Sequence, residues 1–153
     1  MSWQQYAGNN IPDGSGLIVA AATHAYVLSV TGAETSDSRN DGSPSCTVEA
    51  SEFRENWTAL KRAGAVLLGV SPDDIAAHRK FRASLRLPFA LLADTDHTVA
   101  KRYRVWGAKS MFGTRYLGML RTTFVIDEKG YIVTVFENVR TKGHAAQVVS
   151  ALQ

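Results

Sequence analysis

The sequence predicts an α/β fold, a central mixed sheet flanked by helices. Short apolar runs that read as buried strands alternate with stretches of helical apolar spacing. The last two strand-like runs are joined by a three-residue turn, which adds an antiparallel pair to a sheet whose other strands have helical crossovers.

Each element has a local cause. Ala50, Phe53, Trp57 and Leu60 step by 3, 4 and 3, which predicts an amphipathic helix that Gly64 can end. Ala65 to Val70 (AVLLGV) is an apolar run expected to be buried on both faces of a sheet. Asp73-Asp74 then opens a helix with Ile75, His78, Phe81 and Leu85 on one side, and Pro88 closes it. FALLA, residues 89–93, predicts a strand, and Asp94-Thr95-Asp96 caps a short helix running through Tyr103. Residues 105–119 (VWGAKSMFGTRYLGM) are punctuated by glycine and read as a loop or an extended hairpin. Arg121 to Asp127 and Tyr131 to Glu137 are strands around Glu128-Lys129-Gly130, and Gly143 to Leu152 is the last helix. The order αβαβαββα has the character of a thioredoxin-like fold.

The first part of the chain has a different texture. Residues 1–45 hold one base, Arg39, and four acids, Asp13, Glu34, Asp37 and Asp41. TGAETSDSRNDGSPS, from Thr31 to Ser45, has almost nothing to bury and reads as loop or disorder. Only Gly16 to Val30 can supply core elements there. The expected division is an atypical, partly disordered or loosely packed segment over 1–42, followed by a domain over 43–153.

Composition narrows the function. A chain of 153 residues, 45% apolar and 20% charged, is one ordinary globular domain. Its longest apolar run, Leu17 to Ala22, is far short of the ~20 residues of a membrane helix. Residues 1–38 contain no Lys or Arg, which a secretory or transit signal requires, so the expected location is cytoplasmic. The one cysteine, Cys46, cannot form an internal disulfide or a cysteine-based zinc site. His24, His78, His97 and His144 are scattered, with no metal-binding spacing, and no phosphate-binding glycine motif is present. His78, Arg79, Lys80, Arg82 and Arg86 make a basic helix. It reads as a solvated face in preference to a nucleic-acid site.

Three residues can carry chemistry. Cys46 follows Ser43-Pro44-Ser45 at the start of the first strong helix, where backbone N–H groups and the helix dipole lower a thiol pKa. The bland alternative is a small buried hydrophobe. Arg121 begins an otherwise apolar or β-branched strand and either points at a site or lies exposed at a sheet edge. Glu49, three residues after Cys46, either holds an arginine by a charge-assisted hydrogen bond or supports the helix dipole.

From Ser43 onward the chain resembles the peroxiredoxin Q / bacterioferritin comigratory protein family. The resemblance lies in SPSCTVEASEF around Cys46, GVSPDDIAAHRKF at 69–81, LPFALLADTDHTVAKRYRVWG at 87–107, GMLRTTFVIDEKGYI at 118–132 and the terminal KGHAAQVVSAL. It implies a thioredoxin-like fold and a thiol peroxidase acting on hydrogen peroxide and organic hydroperoxides, without metal or organic cofactor. It puts Cys46 at the peroxidatic position. Ser43 falls on the Thr/Ser that hydrogen-bonds thiolate and peroxide, Arg121 on the arginine that polarises the peroxide, and Glu49 on the acid that orients that arginine.

Two departures from the family pattern matter. Many members carry a resolving cysteine five residues after the peroxidatic one; here that position is Ser51. Recycling then needs an external thiol such as thioredoxin or glutathione. The family's shielding proline, seven residues before the cysteine, is replaced by Arg39, and the preceding GAETSDS is unlike a central strand. Two origins are open: an out-of-frame coding segment, or divergence with Ala25 to Val30 (AYVLSV) as the central strand. The alternative function is a catalytically impaired homologue that senses redox state or binds a partner. Expected partners are a hydroperoxide and a thiol reductant, with no nucleic acid and no membrane. The chain is expected to be a monomer or weak dimer, and Trp106, Met111, Phe112 and Tyr116 are the candidate contact surface.

Overall fold

The computed structural model describes residues 25–30, 44–111, 113–127, 131–137 and 139–153. Within them the chain runs β1 (Ala25–Val30), α1 (Pro44–Glu55), α2 (Trp57–Arg62), β2 (Ala65–Ser71), α3 (Ile75–Leu85), β3 (Ala90–Ala93), α4 (Thr98–Arg102), β4 (Trp106–Met111), β5 (Thr114–Met119), β6 (Thr122–Ile126), β7 (Ile132–Glu137) and α5 (His144–Ala151). The main sheet has the order β3-β2-β1-β6-β7. β1 pairs in parallel with β2, and β2 with β3; β6 and β7 continue the sheet antiparallel. Residues AYVLSV therefore stand at the centre of the sheet, with Val27 opposite both Leu67 and Val125.

β6 shows how the sheet separates two cores. Every residue from Thr122 to Ile126 is buried. Phe124 and Ile126 join Val70, Val99, Tyr103 and Met119 on one side, where the Phe124 and Tyr103 rings meet edge-on at 5.0 Å. Val125 joins Ala50, Phe53, Leu67, Ala145 and Val148 on the other. This alternation follows from the two-residue period of a strand. Each fully buried side chain of this size contributes roughly 1.5–3 kcal/mol by leaving water.

The helices start where the sequence expects, with two corrections, to the exposure of Ile75 and to the continuity of the first helix. The Asp74 carboxylate accepts from the Ala77 N–H at 2.8 Å and caps α3, which ends at Arg86 in the left-handed region (φ 52°). Ile75, expected on the buried side of α3, is 61% exposed, while His78 is buried. The expected single helix through Ala50 and Leu60 is two, broken at Asn56, whose side chain returns to the Glu52 carbonyl at 2.9 Å. Residues 105–119 are ordered as an antiparallel hairpin, β4–β5. Asp94 caps α4 by accepting from the Val99 and Ala100 N–H groups at 3.0 and 2.8 Å. The 128–130 turn lies outside the described residues, although β6 and β7 pair as expected.

Trp106 is half-buried and stacks on His97 at 3.9 Å, so its ring is engaged within the chain. The side chains of Met111 and Phe112 lie outside the described residues. No helix among the described residues is long and apolar enough to cross a membrane.

Candidate active site

α1 begins at Pro44, a residue whose fixed φ and missing N–H suit the first turn of a helix. Cys46 is thus in the first turn, where backbone N–H groups have no helical acceptor and the dipole favours negative charge. Glu49 follows in the second turn. That removes it from the first-turn position in which an acid stabilises the dipole, and its role lies in what it touches. Cys46 is 5% exposed and Glu49 2%, so the α1 stripe of Cys46, Glu49, Ala50 and Phe53 faces inward.

Arg121 immediately precedes β6, whose interior position fixes where the guanidinium can reach. Its side chain is 9% exposed. Nη1 donates to Glu49 Oε2 in a buried ion pair, and Nη2 lies 3.6 Å from the Cys46 sulfur. The exposed-edge alternative for Arg121 is thereby excluded. Burial works against the charged guanidinium, but the Glu49 carboxylate and the Cys46 sulfur outweigh it, and Arg121 holds its proton more tightly than an ordinary arginine. Three of the four expected site residues therefore converge. Ser43, and with it Arg39, lies outside the described residues.

A cavity of about 30 Å³ runs from α1 to α3. Cys46 and Glu49 line it together with Phe53, Leu67, Phe81 and Phe89, and Ser71 and His78 add polar atoms. Its lining is mainly apolar, and its volume suits a water-sized guest. The Ser71 hydroxyl donates to Asp73 Oδ2 at 2.9 Å and meets His78 Nε2 at 3.0 Å. Burial pushes His78 below its ordinary pKa of 6.5, against the pull of Asp73. His78 is thus buried, whereas Arg79, Lys80, Arg82 and Arg86 are exposed and form the solvated face the sequence predicts.

One residue near the site is absent from the sequence-based candidates. His144, at the start of α5, is 1% exposed, and its Nε2 lies 2.8 Å from Thr123 Oγ1. In the sequence it is only a histidine after a glycine at a helix start, and nothing local marks it as belonging to a site.

Comparison with known proteins agrees with this geometry. The AhpC/TSA family profile matches residues 38–135. A bcp protein of Coxiella burnetii is 47% identical over 112 residues, 73% of this chain and 74% of that protein. Peroxiredoxin Bcp of Bacillus subtilis is 39% identical over 113 residues, 74% of this chain and 72% of the relative. Among solved structures, the bacterioferritin comigratory protein of Xanthomonas campestris, described for its alkyl peroxide reduction activity, superposes with a TM-score of 0.77 at 31% identity. That match covers 86% of this chain and 80% of the other. The thioredoxin-like fold, the matched segment and the cysteine–arginine–glutamate cluster converge on one assignment: the chain belongs to the AhpC/TSA family.

Proposed function

We propose that this chain is a thiol peroxidase working through Cys46 alone, reducing hydrogen peroxide and organic hydroperoxides at the expense of an external thiol. The observation that carries the reading is the Arg121 guanidinium, held by Glu49 and set 3.6 Å from the only thiol sulfur in the chain. A cation at that distance favours the thiolate over the thiol.

The Cys46 thiolate attacks one peroxide oxygen and forms an S–O bond as the O–O bond breaks. The sulfur is oxidised to sulfenic acid, and the departing oxygen takes a proton and leaves as water or an alcohol. Negative charge grows on that oxygen, where a fixed guanidinium and first-turn N–H groups of α1 act as preorganised donors. One reductant thiol then displaces the sulfenic hydroxyl as water and forms a mixed disulfide. A second thiol releases the Cys46 thiolate and carries the disulfide away.

The alkyl peroxide reduction activity of the Xanthomonas relative supports organic hydroperoxides as substrates. Ser51 in place of a second cysteine supports the external thiol, and thioredoxin or glutathione is the proposed donor. A thiol-recycled enzyme works where reduced thiols abound, so the cytoplasm is the proposed location. Monomer or weak dimer is the proposed state, tested by sedimentation.

Peroxide consumption with a thiol reductant, measured on the wild type and on Cys46→Ser, tests the reading. Turnover should vanish in the variant, because a serine hydroxyl is not ionised near neutral pH. Undiminished turnover would refute it.

A further inference from the structure

The site has a buried titratable neighbour that the peroxidase mechanism does not use. Thr123 lies two residues beyond Arg121, so both project to the same face of the sheet, toward α1 and α5. Phe53 lies four residues beyond Glu49, on the same side of α1. His144 occupies the space these two residues share. Its Nε2 meets Thr123 Oγ1 at 2.8 Å, and its ring stands edge-on to Phe53 at 5.7 Å and to Phe136 at 5.3 Å. One helical turn and one strand pleat therefore separate His144 from the Glu49–Arg121 pair.

The attachment of α5 is itself tied to α1. Both carboxylate oxygens of Glu52 accept from the Gly143 N–H, at 2.9 and 2.8 Å. Gly143 has φ 81°, a conformation that favours glycine, and it turns the chain so that the next residue points inward. The imidazole is thus clamped from β6, α1 and β7 together.

We propose that His144 is a positioning residue, which through Thr123 and Phe53 holds β6 and α1 at the spacing that sets Arg121 against the Cys46 sulfur. The inference rests on the peroxidase reading for its functional meaning, but its geometry stands on contacts independent of peroxide. The charged groups facing the imidazole are Glu49 and Glu52 from α1 and Arg121 from the edge of β6. Burial pushes His144 below its ordinary pKa of 6.5, against the attraction of Glu49, so the ring is neutral at pH 7. A neutral ring bridges Thr123 without competing with Arg121 for the Glu49 carboxylate. Small displacements at a reacting centre are costly, up to about 10²-fold for 1 Å.

The experiment measures two quantities: the rate of Cys46 reaction with hydrogen peroxide, and the pH dependence of Cys46 alkylation by iodoacetamide. The variants are His144→Phe, which keeps an aromatic ring beside Phe53 and Phe136, His144→Gln, which keeps a hydrogen-bonding group for Thr123, and Thr123→Val. Near-UV circular dichroism confirms folding. His144→Phe and Thr123→Val should slow the peroxide reaction and move alkylation to higher pH, and His144→Gln should recover most of both. Wild-type rates and an unshifted alkylation profile in folded His144→Phe and Thr123→Val would overturn the proposal. If His144→Phe does not fold, Thr123→Val decides alone. A wild type inert to peroxide would refute the peroxidase reading, while the alkylation profiles would still decide the role of His144.

Discussion

Arg121 Nη2 lies 3.6 Å from the sulfur of Cys46, a residue 75 positions earlier in the chain. The same guanidinium donates through Nη1 to Glu49. One planar cation therefore spans the nucleophile and a carboxylate, a geometry that arginine's rigid fork permits and lysine's single ammonium does not. The carboxylate offsets the cost of burying the guanidinium and fixes its plane, leaving the other nitrogen for the sulfur.

Arg121→Ala should therefore slow reaction with peroxide by roughly 10²–10³-fold, the usual effect of removing one transition-state donor. Arg121→Lys should lose less, because charge remains while the two-point geometry is lost. Alkylation of Cys46 should shift to higher pH in both, and further in the alanine variant. Stopped-flow peroxide kinetics and iodoacetamide rates across pH measure this. A wild-type rate in Arg121→Ala would show that the cation acting on Cys46 lies elsewhere.

Oxidation of the wild type should add oxygen to Cys46 and form no internal bond. Sulfenic acid forms first, and excess peroxide carries it to sulfinic acid, since no second thiol in the chain can intercept it. Intact mass spectrometry should show one and then two added oxygens. A monomer lighter by two hydrogens would contradict the single-cysteine mechanism.

The sequence made the second half of the fold readable because its signals are local. AVLLGV is a buried strand, Asp74 caps α3, and Asp94 caps α4, as their residue types suggest. Cys46, Glu49 and Arg121 were legible through chemistry and family resemblance together. What escaped depends on tertiary contact. The break at Asn56 interrupts an apolar spacing that continues through it, and Ile75 keeps helical phase with buried neighbours while lying beyond the edge of the core. His144 gave no signal of a site because its partners, Thr123 and Phe53, lie 21 and 91 residues away.

The two buried histidines predict an acid-side loss of stability. Burial lowers the folded-state pKa of both His78 and His144 from the ordinary 6.5. As pH falls below 6.5 the unfolded chain takes up protons that the folded chain does not, so unfolding is favoured. The stability is fully present above pH 6.5 and declines as pH drops through the lowered values. The slope approaches about 1.4 kcal/mol per pH unit for each histidine. Urea midpoints at pH 7.5, 6.5 and 5.5 should fall on the acid side, and His144→Gln should reduce that fall. Flat midpoints over this range would contradict the assignment of two buried neutral histidines.

Ser51→Cys tests whether α1 must open for a second thiol in the same helix to reach Cys46. Both positions lie within the 12 residues of α1, five apart. In an α-helix that spacing separates Cα atoms by roughly 8–9 Å and points the side chains about 140° apart. A disulfide tolerates no more than about 7 Å between Cα atoms. The thiol introduced by Ser51→Cys can attack the Cys46 sulfenic acid, expelling water, only after the first turns of α1 unwind. Peroxide should then yield a monomer lighter by two hydrogens together with a loss of helical signal in far-UV circular dichroism. Unwinding also pulls Cys46 away from Arg121, so the bridged form should lose whatever stability their contact provides and be easily reduced. Its formation should compete with overoxidation and lower the yield of sulfinic acid relative to the wild type. A bridge formed with full helical signal would show that α1 is not the continuous helix described. No bridge at all, with sulfinic acid accumulating as in the wild type, would show that α1 stays closed on the timescale of overoxidation. A thiol at position 51 would then be insufficient to replace an external one.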